Sequence, residues 1–347
     1  MRIARHLGLA AAAAGLALLA AAAGASTFQP PGYEPRIVIN DEAGQSTARA
    51  LGAGFESVVE VRFYGSSSFT GGFGLCSGAL ISPTVVLTAQ HCQPSASPSQ
   101  VQVRFTTGSG ALQFDRTVTE IARMPGYTSL LDGTDLALLT LGEPVTDRTP
   151  FRLTSDFVLG ETVSFVGYGR NGLGSIGHEG TRDGQRWAAQ NVIDAFDVGA
   201  EYSGFNAIYF SDFDNPEGTS NTLQTVFGIP SSATMLPNEG TTAPGDSGGP
   251  LLVWRNNQWV IAGVLSGGVV WSDGPEGFET SPQNSAYGDI SIWTGLASEE
   301  VQAFLRAGGG SFGVIPLPAS GVLLLGALGL GLLVGRRRRP AGACARG

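Results

Sequence analysis

The feature that most restricts the fold of this chain is a series of short apolar or alternating runs. Glycine, proline, serine, asparagine and aspartate separate these runs at short intervals. This pattern predicts an all-β sandwich or barrel rather than repeated β-α-β units. The runs are Val58 to Phe63, Gly78 to Ile81, Val85 to Ala89, Val101 to Phe105, Leu136 to Leu141 and Thr162 to Tyr168.

Two further elements are predicted from the residues at their turns and ends. Leu251 to Gly268 predicts a β-hairpin, because its central Asn256-Asn257 pair tolerates positive φ. One helix is predicted between the capping residue Ser298 and Gly308. Its first turn carries Glu299 and Glu300, and its apolar face consists of Val301, Phe304 and Leu305. The glycine-rich residues 170–240 predict long surface loops.

Both ends of the chain have the character of export signals. Residues 1–25 combine two arginines, an apolar stretch and small residues at the end, which predicts a secretory signal peptide. Residues 319–335 are 17 uncharged residues, followed by Arg336 to Arg339. This stretch predicts a transmembrane helix, with the basic tail 336–347 in the cytoplasm and the preceding chain outside.

The charge and cysteine content restrict the partners and the compartment. Between the two terminal segments there are 13 arginines, no lysine and 29 acidic residues, so a nucleic-acid partner is not expected. Only Cys76 and Cys92 belong to the exported part, since Cys344 follows the predicted membrane segment. In an oxidising compartment these two cysteines are expected to form a disulfide.

Ser247, in the stretch TTAPGDSGGP, is the candidate nucleophile. A serine hydroxyl needs a base, and His91 is the candidate because it directly follows a predicted strand and adjoins Cys92. Asp135, at the start of an apolar strand, is the candidate carboxylate that orients the imidazole, with Asp132 as the alternative. The backbone N–H groups of Gly245 and Ser247 could together stabilise an oxyanion.

Three blocks of sequence carry a resemblance to a known family. CSGALISPTVVLTAQHC, TDLALLTL and GDSGGPLL occur in the order of the signature blocks of trypsin/chymotrypsin-like serine peptidases, and the likeness extends over roughly residues 50–306. It implies two six-stranded antiparallel β-barrels, one over about residues 50–150 and one over about 155–295, with a C-terminal helix. The resemblance implies a peptidase domain at 26–306, catalysis through an acyl-enzyme, and no cofactor or metal.

The expected substrate pocket departs from the family pattern. Thr241, with Thr242 beside it, stands at the pocket floor where an aspartate would select arginine or lysine. Ser266 and Gly268 are expected on one wall, and Ala243 replaces a cysteine that the family often has. These residues predict a preference for neutral, apolar side chains. Arg36-Ile37-Val38 resembles an activation cleavage site, although Ile39-Asn40 stands where the family has two glycines.

The loop SDFDNPEG, with Asp212, Asp214 and Glu217, is acidic enough to suggest calcium. Its spacing matches no known calcium loop, so a solvated loop without a metal is predicted instead.

The tail has a resemblance of its own. IPLPAS, an apolar helix and four arginines are similar to bacterial PEP-CTERM-type sorting signals, in the variant that carries Val/Ile-Pro-Leu-Pro-Ala. This implies a linker with the sorting motif at 307–318 and processing by an exosortase-type enzyme, after a signal peptidase has removed residues 1–25. The expected location is the periplasmic face of the inner membrane, then the cell surface or exterior. A plain membrane anchor is the alternative.

The sequence as a whole predicts an exported serine endopeptidase that acts on proteins or peptides. Three alternatives remain open at this point. They are a catalytically idle adhesion module, an enzyme that processes a single surface protein or itself, and an esterase that uses the same three residues.

Overall fold

The computed structural model describes residues 37–92, 95–157, 159–179, 184–196, 208–269 and 285–313. The elements discussed below all belong to one compact unit, Met1–Phe312. Among the helices of the described segments, none has both the length and the apolar character needed to cross a membrane. The predicted signal peptide 1–25, Arg36, the predicted membrane segment 319–335 and the basic tail 336–347 lie outside the described residues.

The first half of the described chain forms a closed six-stranded barrel in the order β2-β3-β4-β7-β6-β5, with β5 pairing back to β2. Its neighbouring strands are all antiparallel, and their inward side chains form one apolar core. Two elements precede the barrel strands in the chain: β1 (Val38–Ile39) and α1 (Gly44–Ala53). The barrel strands are β2 (Val58–Tyr64), β3 (Phe73–Ser82), β4 (Val85–Thr88), β5 (Val101–Thr106), β6 (Leu112–Arg123) and β7 (Ala137–Leu141).

The second half is built on an eight-stranded sheet, in which β12-β9-β16-β17-β18-β14-β13 are neighbours and β8 pairs with β17. A separate four-stranded sheet has the order β11-β10-β1-β15 and includes β1 from the start of the described chain. The elements are β8 (Arg152–Leu153), β9 (Thr162–Gly167), β10 (Asn171–Leu173), β11 (Gly177–Glu179), β12 (Trp187–Val192), β13 (Ala195–Phe196), β14 (Ile208–Asp212), α2 (Thr222–Thr225), β15 (Gly240–Thr241), β16 (Pro250–Arg255), β17 (Gln258–Val269), β18 (Ile290–Gly295) and α3 (Glu299–Ala307).

The prediction of two closed six-stranded barrels is correct for the first barrel only. Within the described residues, no backbone ladder joins β12 to β14, and the second sheet is a half-barrel. A side chain spans this gap: Asn191 Nδ2 of β12 donates to the carbonyl oxygens of Asp212 (2.7 Å) and Gly240 (3.0 Å). The molecule is therefore an all-β, chymotrypsin-like fold with one closed barrel, one half-barrel and few helices.

The predicted hairpin and C-terminal helix are confirmed. β16 and β17 are joined at Asn256 and Asn257, whose φ angles are 49° and 61°. Helix α3 begins after Ser298, whose hydroxyl accepts a hydrogen bond from Val301 N (3.2 Å), and it ends at Gly308.

Two features of the fold differ from the sequence prediction. Helix α1 was not predicted; its sequence GQSTARALGA has two glycines, and its N-terminus has no side-chain cap. It is held by packing, since a Cβ atom on Gly52 would lie 2.4 Å from the carbonyl oxygen of Arg186. The residues 170–240 also contain strands rather than only surface loops. Their glycines allow close backbone packing, as at Gly172, where a Cβ atom would lie 1.8 Å from Gly177 O.

One buried arginine joins the two halves of the molecule. Arg186 is 1% exposed, and its guanidinium donates to four carbonyl oxygens and two hydroxyl groups. The acceptors are the carbonyls of Gly52, Ala53, Thr106 and Thr107 and the hydroxyls of Thr106 and Tyr168. These acceptors belong to α1, to β5 and the residue after it, and to the segment after β9, so one side chain fixes three parts of the fold.

We predict that Arg186→Ala lowers the free energy of unfolding by at least about 3 kcal/mol, because it leaves several buried acceptors without a donor. Urea denaturation of the purified protein measures this change. Arg152→Ala is the matched control, since Arg152 is exposed and donates one long bond to Phe312 O (3.3 Å). Similar losses in both variants would contradict the role assigned to Arg186.

Candidate active site

The three residues predicted for catalysis come together where the barrel and the half-barrel meet. His91 lies in a short 3₁₀ turn, Gln90–Cys92, directly after β4, and Asp135 lies two residues before β7. Ser247 lies in the loop between β15 and β16. His91 Nδ1 is 2.6 Å from Asp135 Oδ2, and His91 Nε2 is 2.9 Å from Ser247 Oγ.

Asp135 is the carboxylate that contacts the imidazole, and Asp132 has a different role. Asp135 is fully buried and accepts a second hydrogen bond from His91 N (2.8 Å). Asp132 instead accepts hydrogen bonds from the backbone N–H groups of Thr128, Ser129 and Thr134 and shapes the preceding turn. The geometry thus separates the two aspartates that the sequence left as alternatives.

This chain of contacts favours proton transfer from Ser247 to His91. With Asp135 ionised and accepting from Nδ1–H, the tautomer of His91 leaves Nε2 as an acceptor for the Ser247 hydroxyl. The buried carboxylate also stabilises the imidazolium that forms when His91 takes the proton. The His91 side chain is 26% exposed, so a substrate can approach Nε2 from solvent.

The loop before Ser247 presents unbonded amide groups. Within the described part of the chain, the N–H groups of Gly245 and Ser247 have no hydrogen-bond acceptor. Gly245 is buried and has φ of +99°, a conformation that L side chains rarely adopt. Two free N–H donors beside a serine hydroxyl are suited to binding the oxyanion of a tetrahedral intermediate.

The predicted disulfide between Cys76 and Cys92 is confirmed, with a Cα–Cα distance of 6.3 Å. It ties the residue after His91 to strand β3. The two sulfur atoms and His91 lie within 4.8 Å of one another, which is a metal-ligand spacing. Since both sulfur atoms are in the disulfide, they offer no thiolate to a metal.

The residues predicted for the substrate pocket include a linked set of hydroxyl groups. Ser291 Oγ of β18 lies 3.0 Å from Thr241 Oγ1 and 2.8 Å from Thr242 Oγ1. Ser266 Oγ lies 2.7 Å from Thr294 Oγ1, and Gly268 is exposed. Ser291 was missed in the sequence because only the pairing of β17 with β18 places it near these residues.

The acidic loop is not solvated as predicted. Asp212 and Asp214 are 1% and 4% exposed, and Asp194 and Glu239 are buried near them; only Glu217 is exposed. The Asp214 N–H donates to Glu239 Oε1 (2.8 Å), which links the two residues directly. Within the described residues, no arginine or histidine pairs with any of these four buried carboxyl groups. Asp194 and Glu239 are distant in sequence from Asp212 and Asp214, so no local pattern indicates this cluster.

Burial and the neighbouring carboxylates disfavour the charged forms of these groups. Burial, together with nearby carboxylates, raises the pKa of Asp214 to about 9 and that of Glu239 to about 7. Burial also raises the pKa of Asp194 and of Asp212, which lie within hydrogen-bonding reach of each other. The folded protein therefore binds more protons here than the unfolded chain, in which such carboxyl groups titrate near about 4.

We predict that stability falls as pH rises, because a group with a raised folded-state pKa loses its favourable contribution between its unfolded and folded pKa values. For Asp214 this range runs from about 4 in the unfolded chain to about 9 in the folded protein. Asp214→Asn should raise the free energy of unfolding by at least about 1 kcal/mol at pH 8 and have little effect at pH 5.

Urea denaturation at both pH values, with a chelator present to remove divalent cations, measures this difference. Glu217→Gln is the matched control, because it removes an exposed carboxylate of the same loop. Equal stabilisation by Asp214→Asn at pH 5 and pH 8 would contradict the prediction.

Comparison with known proteins agrees with the geometry. The trypsin family model matches residues 55–192. The chain is 29% identical to tryptase from Mus musculus over 209 residues, which is 57% of this chain and 69% of that protein. It is 26% identical to serine protease 28 from Mus musculus over 206 residues, covering 56% of this chain and 69% of the relative. Trypsin 5G1 from Aedes aegypti is 36% identical over 104 residues, 29% of this chain and 38% of that protein.

Proposed function

We propose that this chain is an exported serine-type endopeptidase that cleaves peptide bonds of proteins or peptides through His91, Asp135 and Ser247; its similarity to the trypsin family supports the reaction type. The observation that carries the proposal is the continuous contact from Asp135 Oδ2 to His91 and from His91 Nε2 to Ser247 Oγ, at 2.6 Å and 2.9 Å. Such an arrangement activates a serine hydroxyl that is otherwise inert at neutral pH.

The reaction follows from the positions of these groups. Ser247 Oγ attacks the substrate carbonyl carbon while its proton moves to His91 Nε2, and the oxyanion accepts hydrogen bonds from the amides of Gly245 and Ser247. His91 then gives the proton to the leaving amine, and an acyl-enzyme on Ser247 remains. Water, activated by His91, hydrolyses this ester and regenerates the serine.

The pocket supports a preference for neutral side chains before the cleaved bond. Thr241 is buried, and its hydroxyl and that of Thr242 are both bonded to Ser291. A floor of mutually bonded hydroxyl groups carries no charge that would compensate a buried arginine or lysine of the substrate. Gly268, on the wall, leaves room for an apolar side chain.

The proposed location is outside the cytoplasm. The disulfide between Cys76 and Cys92 is typical of an oxidising compartment. The sequence of residues 1–25 supports export, and the proline motif, apolar segment and arginine cluster of residues 315–339 support sorting by an exosortase-type enzyme. Retention as a membrane anchor remains the alternative for the tail.

We predict that Ser247→Ala and His91→Ala lower turnover by about 10⁶-fold, and Asp135→Asn by about 10⁴-fold. The purified protein and each variant would be incubated with a mixed peptide library, and the products sequenced by mass spectrometry. Cleavage present in wild type and absent in Ser247→Ala supports the proposal. Cuts that persist in Ser247→Ala would refute the assigned nucleophile.

The same experiment separates the alternative functions. One or very few cut sites would indicate an enzyme that processes a single protein, and cleavage of esters without peptides would indicate an esterase. Absence of any cleavage would favour an idle adhesion module, unless limited proteolysis after Arg36 restores activity. That restoration would identify a latent form instead.

A second prediction concerns the pocket floor. Thr241→Asp should raise cleavage after arginine and lysine at least about tenfold relative to cleavage after apolar residues, because it adds a compensating charge. Thr241→Asn is the matched control, because asparagine has nearly the shape of aspartate without its charge. Equal profiles for the two variants in the library digest would place the substrate side chain elsewhere.

A further inference from the structure

Ser77 is a buried hydroxyl residue that the reaction above does not use. It lies in strand β3 of the closed barrel, directly after the disulfide-bonded Cys76, and it is fully buried. A polar side chain in the interior between two β-sheets is costly unless its hydrogen bonds are satisfied. The partners of Ser77 therefore show what holds it there.

Every polar group of Ser77 is bonded, and most of these bonds reach the half-barrel. Its N–H donates to the carbonyl oxygen of Ser247 (2.8 Å). Its hydroxyl donates to the carbonyl oxygen of Gly245 (3.1 Å) and accepts from the N–H of Tyr168 (2.9 Å). Its own carbonyl accepts from Thr88 Oγ1 (2.8 Å). One residue of the barrel thus holds both ends of the Gly245–Ser247 segment.

Ser77 is also linked to the segment that carries the base. The preceding residue, Cys76, is joined by the disulfide to Cys92, which follows His91 in the chain. Thr88, which donates to Ser77 O, ends β4 three residues before His91. The Cys76-Ser77 dipeptide is therefore connected to the base through a covalent bond and to the nucleophile through hydrogen bonds.

The packing around Ser77 leaves little room for the loop to move. A Cβ atom on Gly248 would lie 2.1 Å from Thr88 Oγ1 and 2.4 Å from Ser77 O. The loop backbone is thus in direct contact with β3 and β4. Gly245 itself has no side chain to restrict it, and its positive φ is one of several conformations open to glycine.

We propose that the Ser77 hydroxyl is a positioning residue that fixes the Gly245 carbonyl and thereby holds the Gly245 and Ser247 amides in line with the oxyanion. The inference rests on the proposed peptidase function. Preorganised donors stabilise a transition state without rearranging as the charge develops, and this advantage is lost when the loop that carries them is free to rotate. The hydroxyl thus acts on the transition state, whereas substrate binding in the ground state does not depend on it.

The test compares Ser77→Ala with Ser57→Ala as a matched control. Ser57 is also buried, and its hydroxyl donates to the carbonyl oxygen of Thr149 (2.7 Å), which lies outside the Gly245–Ser247 segment. Both changes remove a buried hydroxyl that donates to a carbonyl oxygen, and Ser77→Ala also leaves the Tyr168 N–H without its acceptor. A larger decrease in Tm is therefore expected for Ser77→Ala, and the two variants are compared on their kinetics. Steady-state kinetics use a peptide taken from the library cut sites, and calorimetry gives the Tm of each variant.

A pair of inhibitors separates binding of the oxyanion from binding of the rest of the substrate. A peptide aldehyde forms a tetrahedral adduct with Ser247 whose oxygen occupies the oxyanion position, whereas the corresponding peptide alcohol cannot form this adduct. For Ser77→Ala we expect kcat to fall at least about tenfold, KM to stay within about twofold, and aldehyde affinity to fall with kcat while alcohol affinity is unchanged. Ser57→Ala should keep wild-type kinetics, with a smaller decrease in Tm.

A lower Tm with wild-type kcat and aldehyde affinity in Ser77→Ala would overturn the proposal and leave Ser77 a structural residue. If Ser77→Ala does not fold, Ser77→Gly provides the same removal of the hydroxyl and is subject to the same criteria. Wild-type protein without Ser247-dependent cleavage would overturn the peptidase function and this proposal with it, whereas active wild type with an unaffected Ser77 variant overturns this proposal alone.

Discussion

The contact of 2.9 Å between His91 Nε2 and Ser247 Oγ joins the closed barrel to the half-barrel. The base and its carboxylate belong to the closed barrel, and the serine belongs to the half-barrel. A misplacement of about 1 Å in such a pair lowers the rate of reaction strongly. The structure therefore depends on whatever fixes the two halves against each other.

Two buried polar residues provide this fixation at different points. Arg186 joins α1, the end of β5 and Tyr168 through six acceptors. Ser77 accepts a hydrogen bond from Tyr168 N and donates to the Gly245–Ser247 segment. Tyr168 is thus held by both residues, through its hydroxyl and its backbone. Directional bonds of this kind define a single relative position, which apolar packing between two curved sheets does not do as strictly.

Much of the site could be predicted from the sequence because its chemistry is local. A serine between glycines, a histidine beside a cysteine and an aspartate before an apolar strand are each recognisable in a few residues. The hairpin at Asn256-Asn257 and helix α3 were also predictable, since their end signals lie within the elements themselves.

Other features depend on residues that are far apart in the chain, and no local pattern announces them. Helix α1 is stabilised by Arg186, more than 130 positions away, rather than by its own helix propensity. In the described part of the half-barrel, β12 and β14 are linked by a hydrogen bond from the Asn191 side chain to Asp212 O rather than by a backbone ladder. A pattern of strand residues does not indicate such a link. The acidic cluster likewise forms only because Glu239 returns to the end of β14, so the sequence suggested a solvated loop where the fold buries two aspartates.

The proposed substrate pocket is held by noncovalent contacts. The side chain of Ala243 packs with Val38 and Phe213 in a small apolar cluster. Val38 belongs to β1, which pairs with β15 so that Val38 lies opposite Thr241. The proposed pocket floor is therefore held on one side by the first strand of the described chain and on the other by Ser291. Because β1 is only two residues long and begins two residues after Arg36, the shape of the proposed pocket depends on how the chain enters the fold at that point.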